Sequence, residues 1–178
     1  EPNQSVFGEL PFIVSIASNL PPNHDVRFQV DVSDELDQQY SFLFHIATYN
    51  AKLQVNNISV SAGGNDVLDP TESGDLQLWI KNNSICPVYD VSAELISLND
   101  LVSISNRYAY IGAISAGMVG VTVSPFEVLA RAQLIPGMQI PMQVRLYNSD
   151  GFEQIASFNL PIGQVSSTTP LGPDSYGY

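Results

Sequence analysis

Residues 140–146 read Ile-Pro-Met-Gln-Val-Arg-Leu, and residues 26–32 read Val-Arg-Phe-Gln-Val-Asp-Val. In both stretches an apolar side chain occupies every second position, and mostly polar residues fill the positions between. A period of two directs alternate side chains to opposite faces of a β-strand, so one face is apolar and the other meets water. The two stretches therefore predict antiparallel strands with one solvated face.

The same alternation recurs along the whole chain. We count about eleven such runs, separated by the Gly, Pro, Asn and Asp residues that end strands. No segment carries an apolar stripe of helical spacing over three turns. Residues 126–132 have helical propensity, but Pro125 in front of them and an internal repeat favour a strand. The predicted fold class is all-β.

The internal repeat includes both quoted stretches. Pro11-Phe12-x-Val14 matches Pro125-Phe126-x-Val128 at an offset of 114 residues, and the same offset places residues 28–32 on residues 142–146. After a two-residue slip in the intervening turn, residues 41–46 align with residues 157–162. A period above 100 residues is typical of tandem modules, because solenoid repeats are about 20–50 residues long.

The repeat predicts three regions. Residues 1–50 form a partial module that holds only the last three strands, residues 51–163 form a complete module of the same kind, and residues 164–178 form a linker or tail. A module without its opening strands leaves apolar faces and strand edges unpaired. It can pack on its neighbour, take strands from another chain, or have lost its first half to proteolytic cleavage.

Charge excludes several classes of partner. Six Lys and Arg stand against 18 Asp and Glu, which gives a net charge of −12. So few basic residues cannot form the positive surface that nucleic acids or anionic membranes require. No apolar run approaches the roughly 20 residues of a membrane span, so we expect neither nucleic-acid binding nor membrane insertion.

The cysteine content, the first residue and the polar composition bear on where the protein is located. Cys86 is the single cysteine, so no intrachain disulfide can form. The chain begins with Glu1 rather than Met, and we expect it to be a processed or excised piece. Few Lys and many Asn, Ser and Thr predict an uncharged polar surface, which favours an extracellular or cell-surface location.

Five stretches of the second module carry a family resemblance. They are residues 63–73 (Gly-Gly-Asn-Asp-Val-Leu-Asp-Pro-Thr-Glu-Ser), 76–82 (Leu-Gln-Leu-Trp-Ile-Lys-Asn), 91–95 (Val-Ser-Ala-Glu-Leu), 111–117 (Ile-Gly-Ala-Ile-Ser-Ala-Gly) and 121–125 (Val-Thr-Val-Ser-Pro). Together they resemble the immunoglobulin-like modules that follow the catalytic domain of gingipain-type cysteine peptidases and recur in related sorted bacterial surface proteins.

The resemblance implies an antiparallel immunoglobulin-like β-sandwich, preceded here by a partial module of the same kind. It also implies a role as spacer, stabiliser or adhesive element. Thr71 stands where the family usually has Gly, and the chain contains no peptidase domain. The resemblance therefore does not extend to protease activity.

An acidic turn is the best candidate for a metal site. Asn65, Asp66, Asp69 and Glu72 fall within eight residues, beside two glycines. Crowded carboxylate and amide oxygens suit Ca²⁺, which takes six to eight oxygen ligands, although the spacing is not that of an EF-hand. The alternative is a solvated β-turn in which Asp69 and Pro70 begin a bend.

Three aromatic residues are candidate contact residues. Trp79 lies on the outward set of its predicted strand, and Tyr108 and Tyr110 share a face two positions apart. Trp79 can stack on a sugar ring or a partner domain, or be covered by the other sheet or by the chain tail. The tyrosines can line a strand face, where they too can contact a sugar.

No catalytic arrangement can be assembled from the sequence. A nucleophile requires a base placed by an orienting group, and nothing local connects His24, His45 or Cys86. We therefore expect no enzyme and no cofactor other than the candidate Ca²⁺.

The leading expectation is a non-catalytic structural or interaction module of a secreted or cell-surface bacterial protein. Its partners would be neighbouring domains or identical subunits that bind through unpaired strand edges. One alternative is a subunit of a self-assembling extracellular filament or surface layer, completed by strand exchange. A second alternative is a carbohydrate-binding module.

Overall fold

The computed structural model describes residues 11–14 and 24–164. The chain divides into two compact units, Glu1–Thr48 and Tyr49–Tyr178. All regular secondary structure in the described residues is β-strand. The strands are β1 (Asp25–Ser33), β2 (Gln39–Ala47), β3 (Leu53–Ala62), β4 (Ser73–Asn82), β5 (Val88–Ser97), β6 (Val102–Asn106), β7 (Tyr108–Ile114), β8 (Val119–Val121), β9 (Phe126–Ala130), β10 (Gln139–Tyr147) and β11 (Glu153–Pro161).

The described part of the first unit is mainly a hairpin. β1 and β2 pair antiparallel from Asp25 opposite Ala47 to Ser33 opposite Gln39. The first strand predicted for the partial module falls outside the described residues apart from residues 11–14, which are exposed. The predicted tail also falls outside them apart from Gln164.

The second unit contains two antiparallel sheets. One has the strand order β11-β10-β5-β7, and the other has the order β3-β4-β9-β6, with the short β8 paired to β4. The predicted all-β antiparallel fold is confirmed, and the two sheets form a β-sandwich.

The core lies between the inward faces of the two sheets. On β4 the residues Leu76, Leu78 and Ile80 are fully buried, and the buried residues of β10 follow the same period of two. Phe126, Val128 and Ala130 are buried on β9, which confirms the strand predicted there, since this spacing would not form one face of a helix. The alternation seen in the sequence thus corresponds to burial.

Asn82 is a buried polar residue at the end of β4. Its amide Nδ2 donates to the carbonyl oxygens of Cys86 and Ile114 at 2.8 and 3.0 Å, and its Oδ1 accepts from the backbone N–H and hydroxyl of Ser84. Every hydrogen-bonding position of the amide is used, so its burial leaves no polar group unpaired. The side chain fixes the loop that leads from β4 to β5.

Candidate interaction surface

One face of the β1–β2 hairpin is apolar throughout. Across the two strands Val26 lies opposite Ile46, Phe28 opposite Phe44, Val30 opposite Phe42, and Val32 opposite Tyr40. The rings of Phe28 and Phe44 stack with their centroids 5.2 Å apart. Phe42 nevertheless remains 59% exposed and Tyr40 50%. A contiguous apolar surface that meets water is typical of an interaction site, and we call this the open face.

The last hairpin of the second unit, β10–β11, has the same register. Its pairs run from Gln139 opposite Pro161 to Tyr147 opposite Glu153, each 114 residues after its counterpart in β1–β2. Because both loops hold five residues, and loop length sets hairpin register, the offset is constant over both strands. The two-residue slip expected from the sequence is therefore absent, and Phe44, not Phe42, occupies the position of Phe158.

The two loops also have the same pattern of internal hydrogen bonds. Asp34 Oδ1 accepts from the backbone N–H groups two and four residues later, at 2.9 and 3.0 Å. Asn148 Oδ1 does the same at 3.0 and 2.9 Å. Asp37 and Gly151, again 114 residues apart, both have positive φ, at 56° and 90°. The hairpins are thus two copies of one structural motif.

The copies differ in what covers them. β10 pairs on its second edge with β5, from Met142 opposite Ser97 to Tyr147 opposite Ser92, and its inward residue Val144 is fully buried. The equivalent edge of β1, residues 28–33, has no partner strand within the described residues. We call it the open edge.

Arg145 anchors the outward face of β10–β11, which we call the covered hairpin. Its guanidinium donates to Glu153 at 2.9 Å and to Glu94 of β5 at 3.3 Å, and lies 4.8 Å from the ring centroid of Tyr147. The hydrogen bond to Glu153 raises the pKa of Arg145, and in return Arg145 lowers the pKa of Glu153. The arginine thus joins three adjacent strands.

Asp31 occupies the equivalent position in β1–β2, which we call the open hairpin. Its carboxylate accepts from the hydroxyl of Ser41 and, at 2.8 Å, from the amide of Gln29. The hydrogen bond from Ser41 and then that from Gln29 lower its pKa. No cation pairs with Asp31 among the described residues. The charge at this outward position therefore changes sign between the two hairpins.

The acidic turn is held by its own side chains. Asn65 Nδ2 donates to Asp69 Oδ2 at 2.9 Å, and Glu72 Oε2 accepts from the backbone N–H of Asp69 at 3.2 Å. Asp66 is exposed and has positive φ. Within residues 11–14 and 24–164 no three Asp, Glu, His or Cys side chains converge as a metal group. Calcium binding here stays a prediction.

The aromatic candidates lie on different sheets. Trp79 is half-buried on the outward face of β4, opposite Asn57 and Val121. Tyr108 and Tyr110 are exposed on β7 of the other sheet. Tyr110 donates to Asp90 at 2.8 Å, and this hydrogen bond raises the pKa of the tyrosine. The three residues therefore belong to two sheets, and their role as contact residues stays a prediction.

The nucleophile and base candidates are also separate. His45 Nδ1 on β2 lies 2.7 Å from Asp25 Oδ2 on β1, while Cys86 belongs to the second unit and is half-buried beside Asn82. His45 and Asp25 form an exposed cross-strand pair. Within residues 25–47 the hydrogen bond between them is the one that either side chain makes, so no hydroxyl or thiol is placed for activation.

The role of residue 31 was not predicted from the sequence. The signal was present, because the 114-residue offset places Asp31 on Arg145. The charge difference predicts a binding preference only when the strand opposite Arg145 is known. That strand is β5, which places Glu94 opposite Arg145.

Comparisons with known proteins assign no family. No protein-family model matches the chain, and no curated protein matches it. Among the described residues there is no helix with the length and apolar character needed to cross a membrane.

Proposed function

We propose that the chain is a non-catalytic structural and interaction module of a secreted or cell-surface bacterial protein. It acts as a spacer, stabiliser or adhesive element built from immunoglobulin-like modules in tandem. The observation that supports this most strongly is the recurrence of one hairpin, with the same strand bounds, register and loop hydrogen bonds, 114 residues apart. A repeat of 114 residues is within the size range of a domain with its own core, so tandem copies would extend the chain as separate modules.

The buried core of the sandwich also supports a mechanical role. Core residues from both sheets are fully buried, including Leu78, Phe126 and Val144. No buried side-chain nitrogen or oxygen of the described residues lacks a hydrogen-bond partner. A buried core in which every buried polar side chain is hydrogen-bonded makes a stiff unit, and a spacer requires stiffness.

The assembly state of the purified chain tests the proposal. Light scattering should give a monodisperse species of about 19.4 kDa, with and without calcium, and negative-stain microscopy should show no regular polymer. Ordered polymers would contradict the spacer role and favour the alternative function, a filament or surface-layer subunit completed by strand exchange. The open edge of β1 is the observation that favours this alternative.

A further inference from the structure

The hairpin β10–β11 identifies which edge of β1–β2 would take a further strand. In the second unit β10 lies between β11 and β5, whereas β11 is the last strand of its sheet. β1 is the counterpart of β10, and β2 is the counterpart of β11. A strand that completes the first unit therefore adds to residues 28–33 of β1 and not to β2.

The open face is too small to bind a partner by face-to-face contact alone. Tyr40, Phe42 and Phe44 are 44–59% exposed, and each aromatic side chain offers about 150–250 Å². The exposed apolar surface of the face is then roughly 400–500 Å² with its aliphatic neighbours, against about 800 Å² per partner in a stable interface. Backbone hydrogen bonds along the open edge would supply the affinity that the small apolar area cannot give. The occupant is therefore a strand.

Charge decides which strand fits. In the second unit, Arg145 on β10 lies opposite Glu94 on β5. A strand with the β5 sequence at the same register would place Glu94 opposite Asp31. Like charges directly opposite each other destabilise a strand pair, and opposite charges stabilise it. The β5 strand of a second copy is therefore disfavoured, and the net charge of −12 adds repulsion between copies.

From these observations we propose that the open edge of β1 accepts an antiparallel strand from a partner protein, with a Lys or Arg opposite Asp31 and small or aliphatic side chains on either side of it. The flanking residues would face Val30 and Val32, as Leu95 and Ala93 of β5 face Val144 and Leu146. This inference rests on the proposed interaction role and names its partner surface.

Two labelled peptides test the proposal on the full 178-residue chain. One has the β5 sequence, Val88–Ser97, and the other is identical except for Glu94→Lys. We expect the lysine peptide to bind about fivefold to tenfold more tightly in low salt, measured by fluorescence anisotropy. The preference should shrink at high salt, where exposed charges are screened.

Variants of the chain locate the site. Asp31→Lys should reverse the preference, and Asp31→Asn should nearly abolish it. Glu35→Lys, the same charge change at an exposed position of the hairpin loop, should leave it intact. A peptide that displaced β5 would place its residue 94 opposite Arg145 of the second unit. In that case the unsubstituted peptide, with Glu94, would bind more tightly than the lysine peptide.

Several results would overturn the proposal: no binding of either peptide at millimolar concentration, equal affinities, or a preference that Asp31→Lys does not change. Self-association of the chain that blocks the peptide would also overturn it, because the occupant would then be a second copy. A monomeric chain that binds neither peptide would leave the spacer function standing, so the two failures are distinguishable.

Discussion

The side-chain amide of Gln154 bonds both backbone groups of Leu53. Its Oε1 accepts from the Leu53 N–H at 2.9 Å, and its Nε2 donates to the Leu53 carbonyl oxygen. Gln154 belongs to β11 and Leu53 to the start of β3, so a single side chain joins the two sheets of the sandwich. The equivalent position in the open hairpin is Tyr40, which cannot make this pair of bonds.

Replacing Gln154 should destabilise the second unit. Leu53 is only 2% exposed, so Gln154→Ala leaves buried backbone groups unpaired, at a cost of about 1–3 kcal/mol. Urea unfolding followed by the fluorescence of Trp79, the single tryptophan, measures this. Gln139→Ala, at an exposed position, is the control, with an expected change below about 0.5 kcal/mol. Equal effects of the two substitutions would show that the amide does not join the sheets.

Removing the Asn82 amide should cost more. Asn82→Ala removes the donor to the buried Ile114 carbonyl oxygen and the acceptor of the Ser84 N–H, while the Cys86 carbonyl oxygen keeps its bond from the Ser84 hydroxyl. We expect a loss of about 2–4 kcal/mol in the free energy of unfolding. Asn83→Ala, at the adjacent exposed position, should change it by less than about 0.5 kcal/mol. An unchanged denaturation midpoint for Asn82→Ala would contradict the assigned role.

The equivalence of the two loops can be tested by exchanging their key residue. Asn148→Ala removes the acceptor of two backbone N–H groups and should cost about 1–2 kcal/mol. Asn148→Asp, which installs the residue found at position 34, keeps that acceptor and loses only the bond from Nδ2 to the Tyr89 carbonyl oxygen. Its loss should be less than half that of Asn148→Ala. A larger loss for the aspartate would mean that the loops differ.

Arg145 should control the titration of Glu153. The hydrogen bond from the guanidinium lowers the pKa of Glu153 from its ordinary value of 4.5, so Arg145→Gln should raise the pKa that carboxyl-carbon NMR reports. A lowered pKa means that the stabilisation is present above pH 4.5 and is lost as the pH falls through the folded-state pKa. The part of the stability difference between the parent chain and Arg145→Gln that comes from this carboxylate should therefore vanish in acid. Arg131→Gln, without an ion pair among the described residues, is the control and should leave the Glu153 titration unchanged.

The period of two was enough to predict the fold class and the buried face of strands such as β4 and β10. Leu76, Leu78 and Ile80 form one alternating set in the sequence and are all fully buried. Alternation is a local property, so a single strand reveals it. Sheet membership is not local. Nothing near Trp79, Tyr108 or Tyr110 in the sequence indicates that they lie on different sheets.

The interaction surface could be predicted only in part. The repeat pointed to a module with open strand edges, but matching residue types suggested a two-residue slip that the loop geometry excludes. Ser41-Phe42 and Ser157-Phe158 resemble each other in composition while occupying different register positions. The charge reversal between Asp31 and Arg145 depends on that register, so sequence similarity alone could not identify it.

The open hairpin should exchange its amide hydrogens much faster than its covered copy. An isolated two-stranded hairpin is marginally stable in water, whereas β10 is held by β11 and β5 over a buried core. We expect the Val30 amide to be at least about a thousandfold less protected than that of Val144, its counterpart 114 residues later, since core strands open only with global unfolding. Hydrogen–deuterium exchange by NMR compares the two residues in one sample, so pH and temperature are matched.

Addition of the peptide with Glu94→Lys should slow exchange at Val30 and leave Val144 unchanged. Equal protection of the two amides in the free chain would show that the open face is already covered, and would remove the basis for a strand acceptor.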